Sequence, residues 1–228
     1  MNQVEFRSKE FGEGSNSVVA LVAGFDGKIE HFNHAARDLV IAGNDVIAYE
    51  YDNDVFLAGD GTLLPSLIND LSRNFSERTS GHTSHRFAGA SLGGGIGWNM
   101  QKNYQDAQPG AYAAIGANVA HLVIANPIFR GVVRYVHKID PKKEFELNGY
   151  TEADLCEAWE ELHVPPTTGF SVALGGLDYV IRRSEVMPKF KEWQKETDIR
   201  IITKKRLGHT GVIKWFNENT KQMLDLAE

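Results

Sequence analysis

The chain has 228 residues, which suits one domain of ordinary size and is too short for two well-built ones. Hydrophobic residues make up 42% and charged residues 24%, a balance typical of a globular domain and not of a disordered chain. The 24 Lys and Arg residues against 30 Asp and Glu residues give a net charge of −6, and the densest basic cluster is only Lys204-Lys205-Arg206, so we expect no nucleic-acid partner.

The first half of the chain alternates apolar runs with segments of helical spacing. Residues 17–23 form a short, almost wholly apolar run that ends at Gly24, which is typical of a strand buried on both faces. Alternation of strand and helix at this rhythm predicts a parallel sheet with helices on both faces. The predicted elements are an edge strand over about 3–11, strands over 17–23 and 45–51, helices over 28–42 and 62–78, and a strand over 85–89.

Residues 110–138 allow two interpretations. We favour a strand over 111–117, because glycines lie before it and near its end, followed by a helix that Pro127 kinks. The alternative places the strand at 122–125. Either interpretation adds one strand to the sheet before the chain becomes more polar.

Residues 139–166 are that more polar segment, which predicts an insertion between sheet elements. Thr151, with an acidic residue three positions later, predicts the start of a helix. Leu155, Trp159 and Leu162 then share one face, and we interpret Trp159 as core packing in preference to a substrate wall. After the insertion we predict a strand over 170–174, a helix over 184–196, a strand over 199–203 and a closing helix over 210–226.

Residues 89–93, Gly-Ala-Ser-Leu-Gly, match the G-x-S-x-G pattern of a nucleophile elbow. A predicted strand precedes the pattern and a glycine-rich helix start follows it, which is the context that this motif requires. In such an elbow the serine lies in a strained turn, where flanking side chains larger than hydrogen would clash. The turn lifts the hydroxyl clear of the sheet, so Ser91 is the candidate nucleophile.

A serine hydroxyl is a weak nucleophile and needs a base, which in turn needs an orienting carboxylate. Downstream of the elbow, Asp178 lies in a loop that leaves an apolar strand, and His209 lies in the loop between the last strand and the last helix. Both then stand at the carboxyl ends of parallel strands, where such sheets bind their ligands. Asp198 and Asp140 remain alternatives for the carboxylate.

With these pieces in the order Ser, Asp, His, the chain resembles a small member of the α/β-hydrolase superfamily over about 17–226. The resemblance implies a three-layer α/β fold, with a mostly parallel central sheet, helices on both faces and a small cap. We expect a single domain over 1–228, with the cap or lid at about 139–166.

The resemblance also implies where the acyl oxyanion is held. In the superfamily the donors are the backbone N–H after the nucleophile and one N–H in the loop after an early strand, which here are those of Leu92 and Phe25. One departure concerns that strand end, where members commonly carry His-Gly and this chain has Ala23-Gly24. A backbone donor can survive this change of side chain.

The function implied is serine-dependent hydrolysis of a carboxylic ester or related acyl bond in a small-molecule substrate. In this function Ser91 attacks the carbonyl, His209 moves the proton, and Asp178 fixes the imidazole tautomer. The resemblance implies no cofactor and no metal. Two other functions stay open: a hydrolase-fold protein that binds a small ligand without turnover, and acyl transfer or peptide-bond cleavage on the same three residues.

The remaining features predict location and weigh against other sites. The N-terminus lacks the apolar core of a signal peptide, and no run approaches the roughly 20 apolar residues that span a bilayer, so we expect a cytoplasmic protein with no membrane span. The single cysteine, Cys156, can form neither an internal disulfide nor a thiolate zinc site. The pairs His31/His34 and His82/His85 have no third ligand at a metal-binding spacing, so we interpret them as surface histidines.

Overall fold

The computed structural model describes residues 4–116, 118–159 and 164–227. Its strands are β1 (Phe6–Phe11), β2 (Ser17–Val22), β3 (Asp45–Tyr51), β4 (Ser84–Ala90), β5 (Gly110–Ala113), β6 (Phe170–Gly175) and β7 (Ile199–Lys204). They form one sheet in the order β1-β3-β2-β4-β5-β6-β7. β1 pairs antiparallel with β3, and the other neighbouring strands pair in parallel. The predicted sheet, mostly parallel with an edge strand from the start of the chain, is confirmed.

Helices connect these strands. The α-helices are α1 (Asn33–Ile41), α2 (Asp54–Leu57), α3 (Leu63–Arg78), α4 (Leu92–Lys102), α5 (Val119–Ile124), α6 (Pro127–His137), α7 (Pro141–Leu147), α8 (Glu152–Ala158), α9 (Arg183–Trp193) and α10 (His209–Ala227). The single helix predicted over 28–42 is divided into a 3-10 turn at Ile29–Phe32 and α1. Within the described ranges, none of these helices has both the length and the apolar character needed to cross a lipid bilayer.

The sheet lies between two layers of helices. α1 and α10 cover one face, where Leu39 and Phe216 belong to one apolar cluster with the strands. α3, α4 and α9 cover the other face, where Leu71, Ile96 and Phe190 belong to a second cluster. Central strands buried on both faces need apolar side chains, which is why β2 is apolar from Val18 to Val22. The three-layer α/β architecture expected from the sequence is confirmed.

The structure corrects three details between β5 and α6. β5 ends at Ala113, earlier than the predicted strand 111–117, because Ala114 adopts a φ of +50° and extended pairing stops there. The alternative strand at 122–125 is wrong, since these residues form the end of α5 and its C-cap. Pro127 kinks no helix. It is the first residue of α6, where the absence of an N–H costs nothing.

The described part of segment 139–166 packs against the connection that precedes α3. Trp159 is fully buried, and its indole N–H donates to the carbonyl oxygen of Gly61 at 2.7 Å, which confirms Trp159 as core packing. Thr151 caps the start of α8, as expected. Leu162, predicted on the same face as Trp159, lies outside the described residues. A single domain with its cap in this segment stays a prediction.

Candidate active site

Ser91 lies in the turn between β4 and α4, with φ of +55° and ψ of −134°. A non-glycine residue in this region of backbone conformation is strained, and the surrounding packing must hold it there. The two flanking glycines allow the turn: a Cβ on Gly89 would lie 2.6 Å from the carbonyl oxygen of Gly93, and a Cβ on Gly93 would overlap the backbone of Ala23. The G-x-S-x-G spacing thus follows from the close approach of α4 to β2 and β4.

Three connections at the carboxyl edge of the sheet bring Ser91, His209 and Asp178 together, and His209, expected in the loop before the last helix, is the first residue of α10. Oγ of Ser91 lies 3.0 Å from Nε2 of His209. Nδ1 of the same ring lies 2.8 Å from Oδ2 of Asp178. The serine follows β4, the carboxylate follows β6, and the histidine begins α10 after β7. The order in the chain and the place in the sheet agree with the expectation from the sequence.

These contacts determine which imidazole nitrogen of His209 carries a proton. A carboxylate can accept a hydrogen bond but cannot donate one, so Nδ1 donates to Asp178. In the neutral ring Nε2 is then an acceptor, and it faces the hydroxyl of Ser91. The geometry is that of a hydroxyl poised to pass its proton to a base.

The Asp178 carboxylate is buried and held rigidly. Its side chain is 0% exposed. While Oδ2 faces the histidine, Oδ1 accepts from the backbone N–H of Val180 at 2.9 Å and of Ile181 at 2.8 Å. These backbone donors fix the orientation of the carboxyl group and compensate for the cost of burying it. Neither Asp198 nor Asp140 makes such a contact with His209 among the described residues.

The residues expected to hold an oxyanion are Leu92 and Phe25. Leu92 is the first residue of α4, so its backbone N–H has no acceptor within that helix. Phe25 follows Gly24 in the loop after β2. A Cβ added to Gly24 would lie 3.2 Å from Cβ of Ser91, so this loop lies close to the serine. Ser91 and Phe25 therefore face the same cleft.

That cleft has a volume of about 400 Å³ and contains both Ser91 and His209. Its wall is mainly apolar, and the larger apolar side chains are Phe25, Phe32, Phe129, Val132, Val180 and Ile213. Asp26, Lys28, His31, Thr210 and Asn217 add polar groups to its lining. A concave, mainly apolar cleft with a few convergent polar groups is typical of a small-molecule site.

No protein-family model matches the sequence, and no curated protein matches it. Solved structures do match it along nearly its whole length. An α/β hydrolase enzyme from a metagenome of lagoon sediments at Mar Chica, Morocco, has a TM-score of 0.64 at 18% identity, over 99% of this chain and 97% of that one. The chain has the α/β-hydrolase fold.

Two further structures with this fold differ from each other in activity. An esterase from Pyrococcus furiosus matches with a TM-score of 0.64 at 13% identity, over 98% of this chain and 91% of that one. An epoxide hydrolase from Bacillus megaterium matches with a TM-score of 0.60 at 12% identity, over 99% and 98% of the two chains. The α/β-hydrolase fold therefore leaves the reaction open, and the side chains of the site must carry any argument about it.

The sequence predicts a helix around Pro127 but does not predict that this helix, α6, forms part of the cleft wall. Phe129 and Val132 come from α6, whereas no described residue of 139–166 lines the cleft. A local signal for α6 exists, since Asn126-Pro127 is an N-cap residue followed by proline at the first helical position. No local signal places that helix over the cleft.

The histidine pairs outside the cleft differ in their surroundings. His82 lies 3.0 Å from a carboxylate oxygen of Asp45, and His85 is 6% exposed, so the interpretation of the second pair as surface histidines is wrong for His85. His31 and His34 are exposed, as expected. Among the described residues, no group of three or more His, Cys, Asp or Glu side chains is arranged to hold a metal ion.

Proposed function

We propose that the protein is a serine hydrolase that cleaves a carboxylic ester or related acyl bond. The contacts of Ser91 with His209 at 3.0 Å, and of His209 with Asp178 at 2.8 Å, carry the proposal. Such a chain of contacts gives a hydroxyl its base and gives the base its orienting carboxylate. The strained elbow supports it further, because strain at a non-glycine residue is concentrated at functional sites.

In the first half of the reaction, Oγ of Ser91 forms a bond to the carbonyl carbon as its proton passes to Nε2 of His209. The backbone N–H groups of Leu92 and Phe25 stabilise the negative charge that develops on the carbonyl oxygen. Asp178 stabilises the imidazolium and keeps its proton on Nδ1. The imidazolium then gives the Nε2 proton to the leaving alcohol, and the acyl group remains on Ser91.

In the second half, water replaces the alcohol. The oxygen of the water attacks the acyl carbon while His209 takes a proton from that water. His209 then returns the proton to Oγ of Ser91 when the carboxylic acid leaves. Another alcohol or amine in place of water would make the protein an acyltransferase. Product analysis by mass spectrometry therefore separates hydrolysis from acyl transfer.

The lining of the cleft favours a substrate with an apolar acyl group. Phe25 and Phe129 pack edge to face with their ring centroids 5.3 Å apart, and both line the cleft beside Ser91. An ester with a short to medium alkyl chain would bury its apolar surface against these rings at about 25 cal/mol per Å². We therefore expect turnover to rise with acyl chain length until the cleft is filled.

A fluorophosphonate probe tests the nucleophile directly, because it phosphonylates only an activated serine. We expect the intact mass of the protein to increase by one adduct, with Ser91 as the modified residue, and turnover of p-nitrophenyl esters to stop. Ser91→Ala should neither be labelled nor turn over esters while it keeps its thermal unfolding temperature. Ser66→Ala, at an exposed serine of α3, is the matched control and should behave as wild type.

Two results would contradict the proposal. One is a wild-type protein that stays unlabelled and hydrolyses no ester of any chain length. The other is a Ser91→Ala variant with wild-type turnover. Binding of an ester analogue without labelling would instead favour a hydrolase-fold protein that binds a small ligand.

A further inference from the structure

Helix α6 crosses the cleft and is fixed at both ends to loops of the candidate active site. We define the acid loop as 176–182, which contains Asp178, and the oxyanion loop as 23–27, which contains Phe25. The 11 residues of α6 rise over about 16 Å, so this helix reaches from one loop to the other. The two ends of α6 each make a polar contact with one of these loops.

At the first turn, Asn126 joins α6 to the acid loop. Its Oδ1 accepts from the backbone N–H groups of Ile128 and Phe129 at 3.0 Å and 2.9 Å, which caps the helix. Its Nδ2 donates to the carbonyl oxygen of Val180 at 2.9 Å. The N–H of the same Val180 donates to Asp178, so one residue of the acid loop bonds both the helix cap and the carboxylate.

At the last turn, His137 joins α6 to the oxyanion loop. Its Nε2 lies 2.9 Å from Oδ2 of Asp26, and its ring packs edge to face on Phe25 with centroids 5.3 Å apart. Asp26 has a φ of +55°, a conformation that a non-glycine residue adopts only where its surroundings hold it. The backbone N–H of Asp26 also donates to Oδ1 of Asn53 at 3.1 Å, on the side of the loop that follows β3.

We propose that Asn126 and His137 are positioning residues, which hold the acid loop and the oxyanion loop at a fixed separation through α6. The inference depends on the proposed function, because the separation matters only if Asp178 and the Phe25 N–H act in one reaction. Acyl transfer is sensitive to the relative position of these groups, since a misplacement of about 1 Å can lower the rate by about 100-fold. Neither Asn126 nor His137 lines the cleft that contains Ser91.

A purely structural role predicts a different outcome. A helix cap and a histidine–carboxylate contact stabilise the fold, so their loss would lower the folded fraction and leave each folded molecule fully active. A positioning role predicts lower kcat in molecules that are fully folded. KM should change little, because the apolar side chains that line the cleft remain.

Three variants separate these roles. Asn126→Asp keeps an oxygen that caps α6 but replaces the donor to Val180 with a second acceptor. His137→Phe keeps a ring against Phe25 and removes the donor to Asp26, while His137→Gln supplies an amide donor in place of the ring nitrogen. We expect Asn126→Asp and His137→Phe each to lower kcat by about 10-fold or more, with KM within about threefold, and His137→Gln to recover most of the loss.

The chain offers matched controls outside the cleft. Asn118 caps α5 through the N–H of His121 at 2.7 Å, so Asn118→Asp repeats the cap substitution at another helix. His121 pairs with Glu152 at 3.0 Å between α5 and α8, so His121→Phe repeats the loss of a histidine–carboxylate contact. Both variants should keep kcat within about twofold of wild type.

Hydrogen exchange measured without substrate gives a second readout that does not depend on activity. His137→Phe should speed exchange of the oxyanion-loop amides, and Asn126→Asp that of the acid-loop amides, while the core of β2 and β6 stays protected. Unchanged exchange and unchanged kcat would overturn the inference, as would kcat losses that match the unfolded fraction. If wild type is not labelled by a fluorophosphonate, the proposed function fails, and exchange alone then decides whether α6 fixes the two loops.

Discussion

Gly93 packs directly on Ala23, so closely that a Cβ on the glycine would overlap the alanine carbonyl group. This contact lets the start of α4 lie against the end of β2, which places Ser91 next to Gly24 and the oxyanion loop. The glycine is therefore required by the backbone of a neighbouring strand, and not only by the turn that contains the serine. The obstacle is main chain, which cannot rotate away as a side chain could.

We expect Gly93→Ala to destabilise the protein by about 3 kcal/mol or more, since overpacking a tight core commonly costs about 1–3 kcal/mol and here the clash is with backbone. Urea denaturation gives the free energy of unfolding. Gly95→Ala is the matched control in the same helix, where the nearest atom to an added Cβ is Cγ2 of Val119 at 3.5 Å. It should be neutral or stabilising by up to about 1 kcal/mol, because alanine favours helix. Equal stabilities of the two variants would contradict the account.

Asp178→Asn should lower kcat by about 10⁴ with little loss of stability. The amide can still offer an oxygen to the N–H groups of Val180 and Ile181, but it can present an N–H to His209 and so favour the wrong tautomer. Steady-state kinetics on one ester at saturating concentration measures the effect.

Asp198→Asn and Asp140→Asn complete that experiment, because both residues were alternatives for the carboxylate. Asp198 is exposed, so its variant should keep wild-type kcat. Asp140 is bound by Arg130 on α6, so its variant tests whether a remote contact of that helix alters kcat. A large loss of kcat in Asp198→Asn, together with wild-type kcat in Asp178→Asn, would assign the carboxylate role to Asp198 and not to Asp178.

The predictable parts of this molecule are those encoded over short stretches of chain. The elbow around Ser91 is a five-residue pattern, and the buried strand β2 is apolar after its first residue, so both can be predicted from local sequence. Asp178 and His209 were found because chain order and loop position restrict the choice to a few residues.

The place of α6 could not be predicted, because it depends on contacts between residues far apart in sequence. Asn126 reaches Val180 across 54 positions, and His137 reaches Asp26 across 111. From the local sequence alone, Asn126 is interpreted as a helix cap and His137 as a histidine in the last turn of a helix. The polar composition of 139–166 and its helix-capping pattern instead favour a separate segment, which we predicted to be the cap of the active site. Neither feature indicates which part of the molecule that segment covers.

Val132→Phe should shorten the acyl chain that the protein prefers, because the larger ring fills part of the cleft that Val132 lines. Rates with p-nitrophenyl esters of graded chain length measure the preference. Val136→Phe is the matched control: it lies one turn further along α6, is 53% exposed against 50% for Val132, and does not line the cleft. It should leave the order of preference unchanged.

Trp159→Phe extends this comparison to the predicted cap. It should lower stability, since the Gly61 carbonyl loses its buried donor, without changing the order of ester preference. A shift in preference with Trp159→Phe, and none with Val132→Phe, would assign chain-length selection to 139–166 in place of α6.

The stability of the protein should depend on pH through the contact of α6 with Asp140, which directly precedes α7. Arg130 holds Asp140 with two hydrogen bonds, Nε to Oδ1 at 2.9 Å and Nη2 to Oδ2 at 2.8 Å, and Arg134 lies 3.0 Å from Oδ2. The Asp140 side chain is 9% exposed. These contacts, the hydrogen bonds from Arg130 first, lower the pKa of Asp140 below its ordinary value.

Because the pKa of Asp140 is lower in the folded than in the unfolded chain, its ionised form stabilises the fold. That contribution is complete above the unfolded-state pKa, about 4, and is lost as pH falls through the lowered pKa of the folded state. We therefore expect wild type to exceed Asp140→Asn in free energy of unfolding near pH 7, with the difference shrinking below about pH 4. Urea denaturation of both proteins across this range measures it, with Asp198→Asn as the exposed control. A difference that stays constant from neutral to acid pH would mean that Asp140 acts through packing and not through its charge.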